Sequence, residues 1–321
     1  MKPLIKLLAL VAGSWLALTG YAQNKVNLFV ASGPTAGVYY PLGGGLADIL
    51  TKHLPNINAT SGSTDGSMAN LLLIGQGRAD IGFTMADAGW DAYKGQQKFQ
   101  DKPVPVRALM VLYPNRMHVV TIEGSGINRM SDLKGKRVST GAPNSATQIM
   151  AYRALEAYGI DPEKDIIRER LDPGKSADAI KDRKLDAFFW VGGVPTPAVT
   201  DLGATPGLKL KLIDHSDATD GMVKKYGPLY VKDVIPAKTY PGQDTPNQIA
   251  TVWNVLVADE KMTDQLAYDI VKTIFERKED LVRVHAEARN LDYKYQTPGA
   301  AVIPFHPGAR KYFAEKGIKL N

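Results

Sequence analysis

The chain has 321 residues, of which 44% are apolar, carries a formal charge of +6 and contains no cysteine. The absence of cysteine excludes disulfides, thiolate metal sites and thiol nucleophiles. The charges are scattered, without a basic block or an aromatic-basic stripe, and this argues against a nucleic-acid partner.

Residues 1–22 have the pattern of an export signal. Lys2 and Lys6 form a short basic start, residues 7–18 are almost wholly apolar, and small residues precede a cleavage position after Ala22. We therefore expect a signal peptide over residues 1–22 and a periplasmic mature chain of charge +4. That chain is long and apolar enough to bury a core without disulfides. No later stretch approaches the roughly 20 apolar residues of a membrane span.

The first predicted unit is a strand, a glycine-rich turn and a helix. Residues 26–30 form the apolar strand, residues 32–46 the turn, and apolar side chains at helical spacing follow up to Leu54. This order gathers backbone N–H groups and a helix N-terminus at one point, which suits an anion or a small polar solute. Thr35 and Tyr39 add hydroxyl groups there. The turn lacks both common nucleotide motifs, and we favour ligand binding over the alternative of glycines kept for packing.

Strands and helices alternate through most of the remaining chain, which predicts parallel sheets with helices on both faces. Residues 60–67 lead into a predicted helix, and residues 77–84 lead into a strand. Residues 140–147 precede a second helix, which Gly159 ends as a C′ residue. Residues 187–191 are all apolar, as expected of a strand that is covered on both faces.

A short internal repeat in the sequence indicates two similar units. Residues 77–81 and 183–187 each end a helix and start an apolar strand through an aspartate. Two such α/β units in one exported chain predict two lobes, and open α/β sheets bind ligands at the carboxyl ends of their strands. In the last third, Thr263 is a candidate N-cap, and a final helix is predicted from Pro307 to Gly317.

Polar turns recur where predicted strands end and helices start. They follow strands at Thr84 and Gly192, and they precede helices at 60–67 and 144–147. Each alone can be an ordinary helix cap, but together with the first loop they favour convergence on one cleft. Trp190 can line that cleft, although a buried core position is the stronger interpretation.

No metal site and no cofactor are predicted. None of the five histidines has metal-ligand spacing, so we expect each to be a surface or helix-end residue. They are His53, His118, His215, His285 and His306.

Ser131 and Lys134 match the Ser-x-x-Lys motif of penicillin-recognising serine hydrolases. The Ser-Asp-Asn and Lys-Thr-Gly motifs of those enzymes are missing, so a turn that leads into a strand is the favoured interpretation. A secreted serine hydrolase that uses these two residues stays a minor alternative to a binding protein.

Several motifs resemble those of the TAXI family, the solute-binding subunits of one class of tripartite ATP-independent periplasmic (TRAP) transporters. They occur in the same order and span nearly the whole mature chain. The matching motifs are Gly-Pro-Thr-Ala-Gly-Val-Tyr-Tyr-Pro-Leu-Gly at 33–43, Ser-Met-Ala-Asn-Leu at 67–71, Phe-Phe-Trp-Val-Gly-Gly at 188–193, Tyr-Pro-Gly-Gln at 240–243, Trp-Asn-Val-Leu at 253–256 and His-Pro-Gly-Ala at 306–309, followed by Tyr312.

The resemblance implies an α/β fold of the two-lobed periplasmic binding protein type (type II-like), with a mostly parallel sheet in each lobe and the ligand in the cleft between them. It implies a non-enzymatic receptor for a small organic anion such as glutamate, 2-oxoglutarate or a related dicarboxylate. The lobes would close over the solute and deliver it to an ion-gradient-driven TRAP permease. The alternative is a ligand-sensing partner of a membrane regulator.

By matching positions, the resemblance implies that seven residues and turns face the ligand: Thr35, Tyr39, Ser67, Asn144, Ser145, Thr147 and the pair Gly192 and Gly193. Thr84 and Trp190 complete the candidate ligand-binding set, and Arg116 and Arg170 are possible direct partners without an assigned place. We expect a monomer in which residues 23–118 with 236–321 form lobe 1 and residues 119–235 form lobe 2. Hinges are expected near 115–125 and 232–245.

Overall fold

The computed structural model describes residues 25–320, in which ten strands form one mixed sheet flanked by helices. The strands are β1 (Val26–Ala31), β2 (Ile57–Gly62), β3 (Ile81–Met85), β4 (Val106–Ile122), β5 (Arg137–Ser139), β6 (Ile167–Glu169), β7 (Ala187–Gly192), β8 (Leu210–Leu212), β9 (Val231–Ile235) and β10 (Asn247–Asp259). The helices are α1 (Tyr39–His53), α2 (Ser67–Gly75), α3 (Ala86–Lys94), α4 (Ala146–Ala157), α5 (Pro173–Lys181), α6 (Pro197–Gly203), α7 (Ala218–Tyr226), α8 (Asp264–Glu276), α9 (Lys278–Val284), α10 (Pro298–Ala301) and α11 (Pro307–Glu315).

The sheet contains two parallel groups of strands joined by two long antiparallel strands. Its order is β2-β1-β3-β10-β4-β7-β5-β6, with β8 paired to β4 and β9 paired to β10. We call β2-β1-β3 with its helices the first group and β7-β5-β6 with its helices the second group. Within each group the neighbouring strands are parallel, which confirms the predicted α/β fold. The two long strands β4 and β10, which join the groups, were not predicted.

The structure confirms the short internal repeat around the two aspartates and shows the physical reason for it. Asp80 directly precedes β3, and its Oδ2 accepts a hydrogen bond from the backbone N–H of Phe29 at 2.7 Å. Asp186 directly precedes β7, and its Oδ2 accepts from the N–H of Arg137 at 2.8 Å. In both groups an aspartate therefore satisfies a backbone donor of the neighbouring parallel strand at the same point.

Helix ends agree with the predicted signals. Thr263 is the N-cap of α8, where its hydroxyl accepts from the N–H of Leu266. Pro307 is the first residue of α11, and His306 caps it by accepting from the N–H of Gly308. Gly159 has a φ of +65°, as a C′ residue requires.

The glycine-rich turn is shorter than predicted, because α1 already begins at Tyr39 and takes up three of its glycines. A Cβ on Gly43 would lie 2.6 Å from the Ser61 hydroxyl, and one on Gly45 would lie 2.9 Å from Val284. These two glycines let α1 pack closely on the sheet and on α9, so part of the glycine content does serve packing.

Gly44 is exposed within α1, and a Cβ there would meet no atom within 4 Å. We expect Gly44→Ala to raise the free energy of unfolding by about 0.5–1 kcal/mol, because alanine loses less backbone entropy in a helix. Urea denaturation of both proteins measures the change. Gly43→Ala is the matched contrast and should destabilise.

The expected surface or helix-end location is wrong for His118 and His215. Both are fully buried, and His118 lies within β4. Its Nδ1 contacts the Arg116 carbonyl at 3.0 Å and its Nε2 the Tyr240 hydroxyl at 2.7 Å. Burial lowers the pKa of His118 to about 3 and that of His215 to about 4, so both imidazoles are neutral.

The predicted signal peptide, residues 1–22, lies outside the described residues. Within residues 25–320 no helix is both long and apolar enough to cross a membrane. The division into lobes stays a prediction.

Candidate ligand-binding site

A buried polar cluster lies where β4 and β10 pass between the two groups. At its centre is Tyr39, the first residue of α1, whose ring stacks on Phe83 with centroids 5.1 Å apart. The Tyr39 hydroxyl donates to Oδ1 of Asn254 on β10 and accepts from Nδ2 of Asn115 on β4 at 3.4 Å. Burial raises the pKa of Tyr39, so its hydroxyl keeps its proton.

Three buried polar atoms around this hydroxyl have no hydrogen-bond partner among the described residues. They are the hydroxyl of Tyr113, Oδ1 of Asn115 and Nδ2 of Asn254. Each side chain is at most 1% exposed. The pKa of Tyr113 is raised, mainly by burial and further by Tyr39 and Glu287. Because an unpaired buried polar atom costs stability, a group of three around one hydroxyl marks a candidate contact for a solute.

Two predicted site residues of the first group lie beside this cluster. Ser67 begins α2, and its Oγ accepts from the N–H of Met85 at 3.1 Å. It also lies close enough to Tyr39 to lower the pKa of that hydroxyl. Thr84 is fully buried in β3, and its hydroxyl donates to the Met85 carbonyl at 3.0 Å. Both hydroxyls therefore already have backbone partners.

The predicted residues of the second group lie opposite the start of α2. Ser145 is the N-cap of α4 and accepts from the N–H of Thr147 at 3.2 Å. The hydroxyl of Thr147 in turn accepts from the N–H of Val191 at 3.3 Å. Asn144 has a φ of +64°, and its carbonyl accepts from the N–H of Ala69 at 3.2 Å. The structure thus brings Asn144 and Ser145 against the first turn of α2.

Of the remaining predicted residues, Thr35 lies in the first loop, and Trp190 and Gly192 lie at the end of β7. Thr35 is exposed in the turn before α1. Trp190 is buried, and its Nε1 donates to the Thr196 hydroxyl at 3.0 Å, as the core interpretation expects. Its ring also covers Gly37, where a Cβ would lie 3.1 Å from it. A Cβ on Gly192 would collide with Nε1 of Trp190, so this strand end has no room for a side chain.

Loops of the two groups contact each other directly over the cluster. The carbonyl of Ala36 accepts from the N–H of Ala198 at 3.2 Å. The Oε1 atom of Glu287 accepts from the N–H of Val194 at 2.7 Å. At Gly193 a Cβ would lie 2.7 Å from Glu287, which shows how closely the backbone approaches. These contacts join the two groups beside the buried cluster.

A buried ion pair bridges the two groups beside the cluster. Arg153 on α4 donates to Asp91 Oδ2 at 2.8 Å and to the Tyr230 hydroxyl at 2.6 Å. Its Nη1 also lies 3.6 Å from Asp87 Oδ2, which accepts from the Tyr230 hydroxyl at 2.7 Å. Burial raises the pKa of Asp91 to about 6 and that of Asp87 as well, while Arg153 opposes both shifts.

The two arginines without an assigned place differ in their surroundings. Arg116 is paired with Glu287 at 3.0 Å and with Asp233 at 2.9 Å, so neighbouring carboxylates already neutralise it. Arg170 is exposed and lies near Lys98, whose pKa is lowered by burial and by Arg170. The Lys98 ammonium donates to Asn144 Oδ1 at 3.2 Å.

The hydrolase alternative finds no support in the surroundings of Ser131 and Lys134. Both residues are exposed. The Lys134 ammonium lies 3.4 Å from Asp165 Oδ2 and 3.5 Å from the Gly159 carbonyl. Its ammonium group is therefore engaged by a carboxylate and a backbone carbonyl rather than by a nucleophilic hydroxyl.

The sequence analysis missed Tyr113, Asn115 and Asn254. The sequence does contain a signal for the two asparagines, because each interrupts a long apolar run that forms a buried strand. Asn254 even lies within one of the matching motifs, at 253–256. A carboxamide in such a run needs a partner, and this requirement could have identified both positions.

Comparisons with known proteins agree with this fold. A family model described as the NMT1-like family matches residues 30–317. A binding-protein component of an ABC phosphonate transporter from Pseudomonas aeruginosa superposes with a TM-score of 0.52 at 10% identity, over 84% of this chain and 80% of its own. A protein from Listeria monocytogenes assigned to an L-cystine ABC transporter gives 0.50 at 17% identity, over 84% and 98%. These likenesses show the fold of solute-binding proteins.

Proposed function

The chain belongs to the NMT1-like family, and from this and from the covered polar cluster we propose that it is an extracytoplasmic solute receptor without catalytic activity. Its solute is a small organic anion, such as glutamate, 2-oxoglutarate or a related dicarboxylate. It delivers the solute to an ion-gradient-driven permease, as the resemblance to the TAXI subunits of TRAP transporters implies. The mature protein acts as a monomer in the periplasm.

One observation carries the proposal. Tyr113, Asn115 and Asn254 hold three unpaired polar atoms around Tyr39, in a position that loops of both groups cover. A solute bound between the groups would pair these atoms, and it would reach them only when the covering loops separate. The two structural neighbours, which belong to transporters of small solutes, support the same mode of action.

The strand pairing supports a hinge on each long strand. In β4 the partner changes from β10 to β7 at Arg116. In β10 the partner changes from β9, up to Thr251, to β3, from Asn254. We propose that two lobes move about these strands, residues 23–118 with 254–321 and residues 119–253, so that the second boundary lies on β10 rather than at 236.

We further propose that the solute contacts residues of both lobes on closing. The proposed set comprises Thr35, Tyr39, Ser67, Thr84, Asn144, Ser145, Thr147, Trp190, Gly192 and Gly193, with the addition of Tyr113, Asn115 and Asn254. Because Arg116 is paired with two carboxylates, neutral donors and backbone N–H groups near α2 and α4 would hold the anion.

The test is a thermal-shift screen of mature protein that has been unfolded, stripped of solute and refolded. The panel contains monocarboxylates, dicarboxylates, amino acids, sugars and phosphates, and calorimetry follows each hit. A solute present at about 100 times its dissociation constant adds roughly 2.7 kcal/mol to the free energy of unfolding. A shift with one class of acid is the expected result. A shift with sugars alone, or with nothing, would contradict the proposal.

A further inference from the structure

The Tyr39 hydroxyl fixes the orientation of the two asparagines that flank it. A phenolic hydroxyl has a single hydrogen, so it donates one hydrogen bond and accepts others. Here it donates to a carboxamide oxygen of Asn254 and accepts from a carboxamide nitrogen of Asn115. If both amide groups were turned over, it would donate to Asn115 and accept from Asn254 instead.

In either orientation the same kinds of polar atoms stay unpaired and are available to a solute. One asparagine keeps an unpaired carbonyl oxygen, and the other keeps an unpaired amide N–H group. In the orientation described these are Oδ1 of Asn115 and Nδ2 of Asn254, and the Tyr113 hydroxyl is the third unpaired group. The site therefore offers one obligatory acceptor as well as donors. Both carboxamides contact the same Tyr39 hydroxyl.

We propose that the solute is an organic acid with a hydrogen-bond donor beside its carboxylate, a 2-hydroxy or 2-amino acid rather than a 2-oxo acid. The inference rests on the proposed function. The carboxylate accepts from the free amide N–H group and the Tyr113 hydroxyl, and the hydroxyl or ammonium group donates to the free carbonyl oxygen. A 2-oxo acid has only acceptors at these positions, so it leaves that carbonyl oxygen buried and unpaired.

The two arginines near the site, Arg116 and Arg153, are not available to the free carbonyl oxygen of the asparagine. Arg116 is held by Asp233 and Glu287, and Arg153 is held by Asp87 and Asp91. Both arginines are therefore already paired with carboxylates. We therefore assign the donor for this oxygen to the solute.

The experiment is calorimetric titration of refolded protein with matched acids that differ only at carbon 2. The three series are lactate, pyruvate and alanine; malate, oxaloacetate and aspartate; and 2-hydroxyglutarate, 2-oxoglutarate and glutamate. In the series that binds most tightly, we expect the hydroxy or the amino acid to bind at least about tenfold more tightly than the oxo acid. Comparison of the hydroxy and amino members identifies which donor the site prefers.

Tyr39→Phe tests the cause of this selectivity. Without the hydroxyl, both amide groups are free to turn and can present N–H groups to a 2-oxo acid, so the preference should fall to about threefold or less. Tyr268→Phe is the matched control, because its hydroxyl bonds to Glu315 on the surface, and it should keep the wild-type preference.

The outcomes separate the two proposals. If an oxo acid binds as tightly as its hydroxy and amino counterparts, the inference is wrong while the receptor function stands. An unchanged preference in Tyr39→Phe would also overturn it. If solutes other than acids bind, or none does, the proposed function fails and the inference fails with it.

Discussion

Replacement of Arg153 by methionine is expected to lower the free energy of unfolding by about 3–5 kcal/mol at pH 7.5. The variant removes the cation that Asp87 and Asp91 share, and all three side chains are at most 5% exposed. Two carboxylates then remain buried without a compensating cation, and the Tyr230 hydroxyl loses the donor that Arg153 supplies. Methionine keeps most of the packing of the arginine stem, so the loss of stability measures the effect of removing the positive charge.

Urea denaturation, followed by tryptophan fluorescence and by circular dichroism, measures this loss, and coincident transitions support a two-state analysis. Arg129→Met is the matched control, because its ion pair with Asp132 lies at the surface, and it should cost less than about 1 kcal/mol. A loss in Arg153→Met no larger than in the control would mean that the buried carboxylates do not depend on this cation.

The same variants should respond to pH in a defined direction. The pKa of Asp91 is about 6 in the folded protein, above its ordinary value of 3.8, so the folded state holds this proton more tightly than the unfolded state. The contribution of Asp91 to stability is therefore largest at low pH and declines as the pH rises from about 4 to 6. Without Arg153 the pKa of Asp91 rises further and the decline extends to higher pH, so the deficit of Arg153→Met should be smaller at pH 5 than at pH 7.5.

Local signals in the sequence predicted much of the fold. Thr263, Pro307 and Gly159 act on their own helix termini, within a few residues, so their effects were visible without knowledge of tertiary structure. The aspartates before β3 and β7 were recognisable for a similar reason, since each directly precedes its strand. The positions of β4 and β10 depend on which strands they separate, and no local pattern contains that information.

The candidate site was only partly predictable, because its groups come from distant parts of the chain. Tyr39, Asn115 and Asn254 meet although 76 and 215 residues separate the tyrosine from its two partners. Ser145 and Thr147 were identifiable as polar residues before a helix, but the bonds that satisfy them are visible only in the structure. Sequence alone could not distinguish a hydroxyl with a backbone partner from an atom left free for a solute.

The second large effect is expected at Gly193, where the two groups are in close contact. A Cβ there would lie 2.7 Å from Glu287, 2.9 Å from Tyr113 and 3.2 Å from Val38. If the groups separate to admit a solute and then close over it, Gly193→Ala obstructs only the closed arrangement. We expect it to weaken binding of the solute found in the screen by at least about tenfold, which corresponds to about 1.4 kcal/mol.

Calorimetry measures the affinity, and small-angle scattering with and without solute measures closure. The radius of gyration should fall on binding in the wild-type protein and fall less in Gly193→Ala, whereas Gly44→Ala should behave as the wild type because its Cβ meets nothing. Wild-type affinity in Gly193→Ala would contradict closure at this contact. A fall in apo stability larger than the fall in binding free energy would instead assign Gly193 to packing, since its clash would then act in the absence of solute.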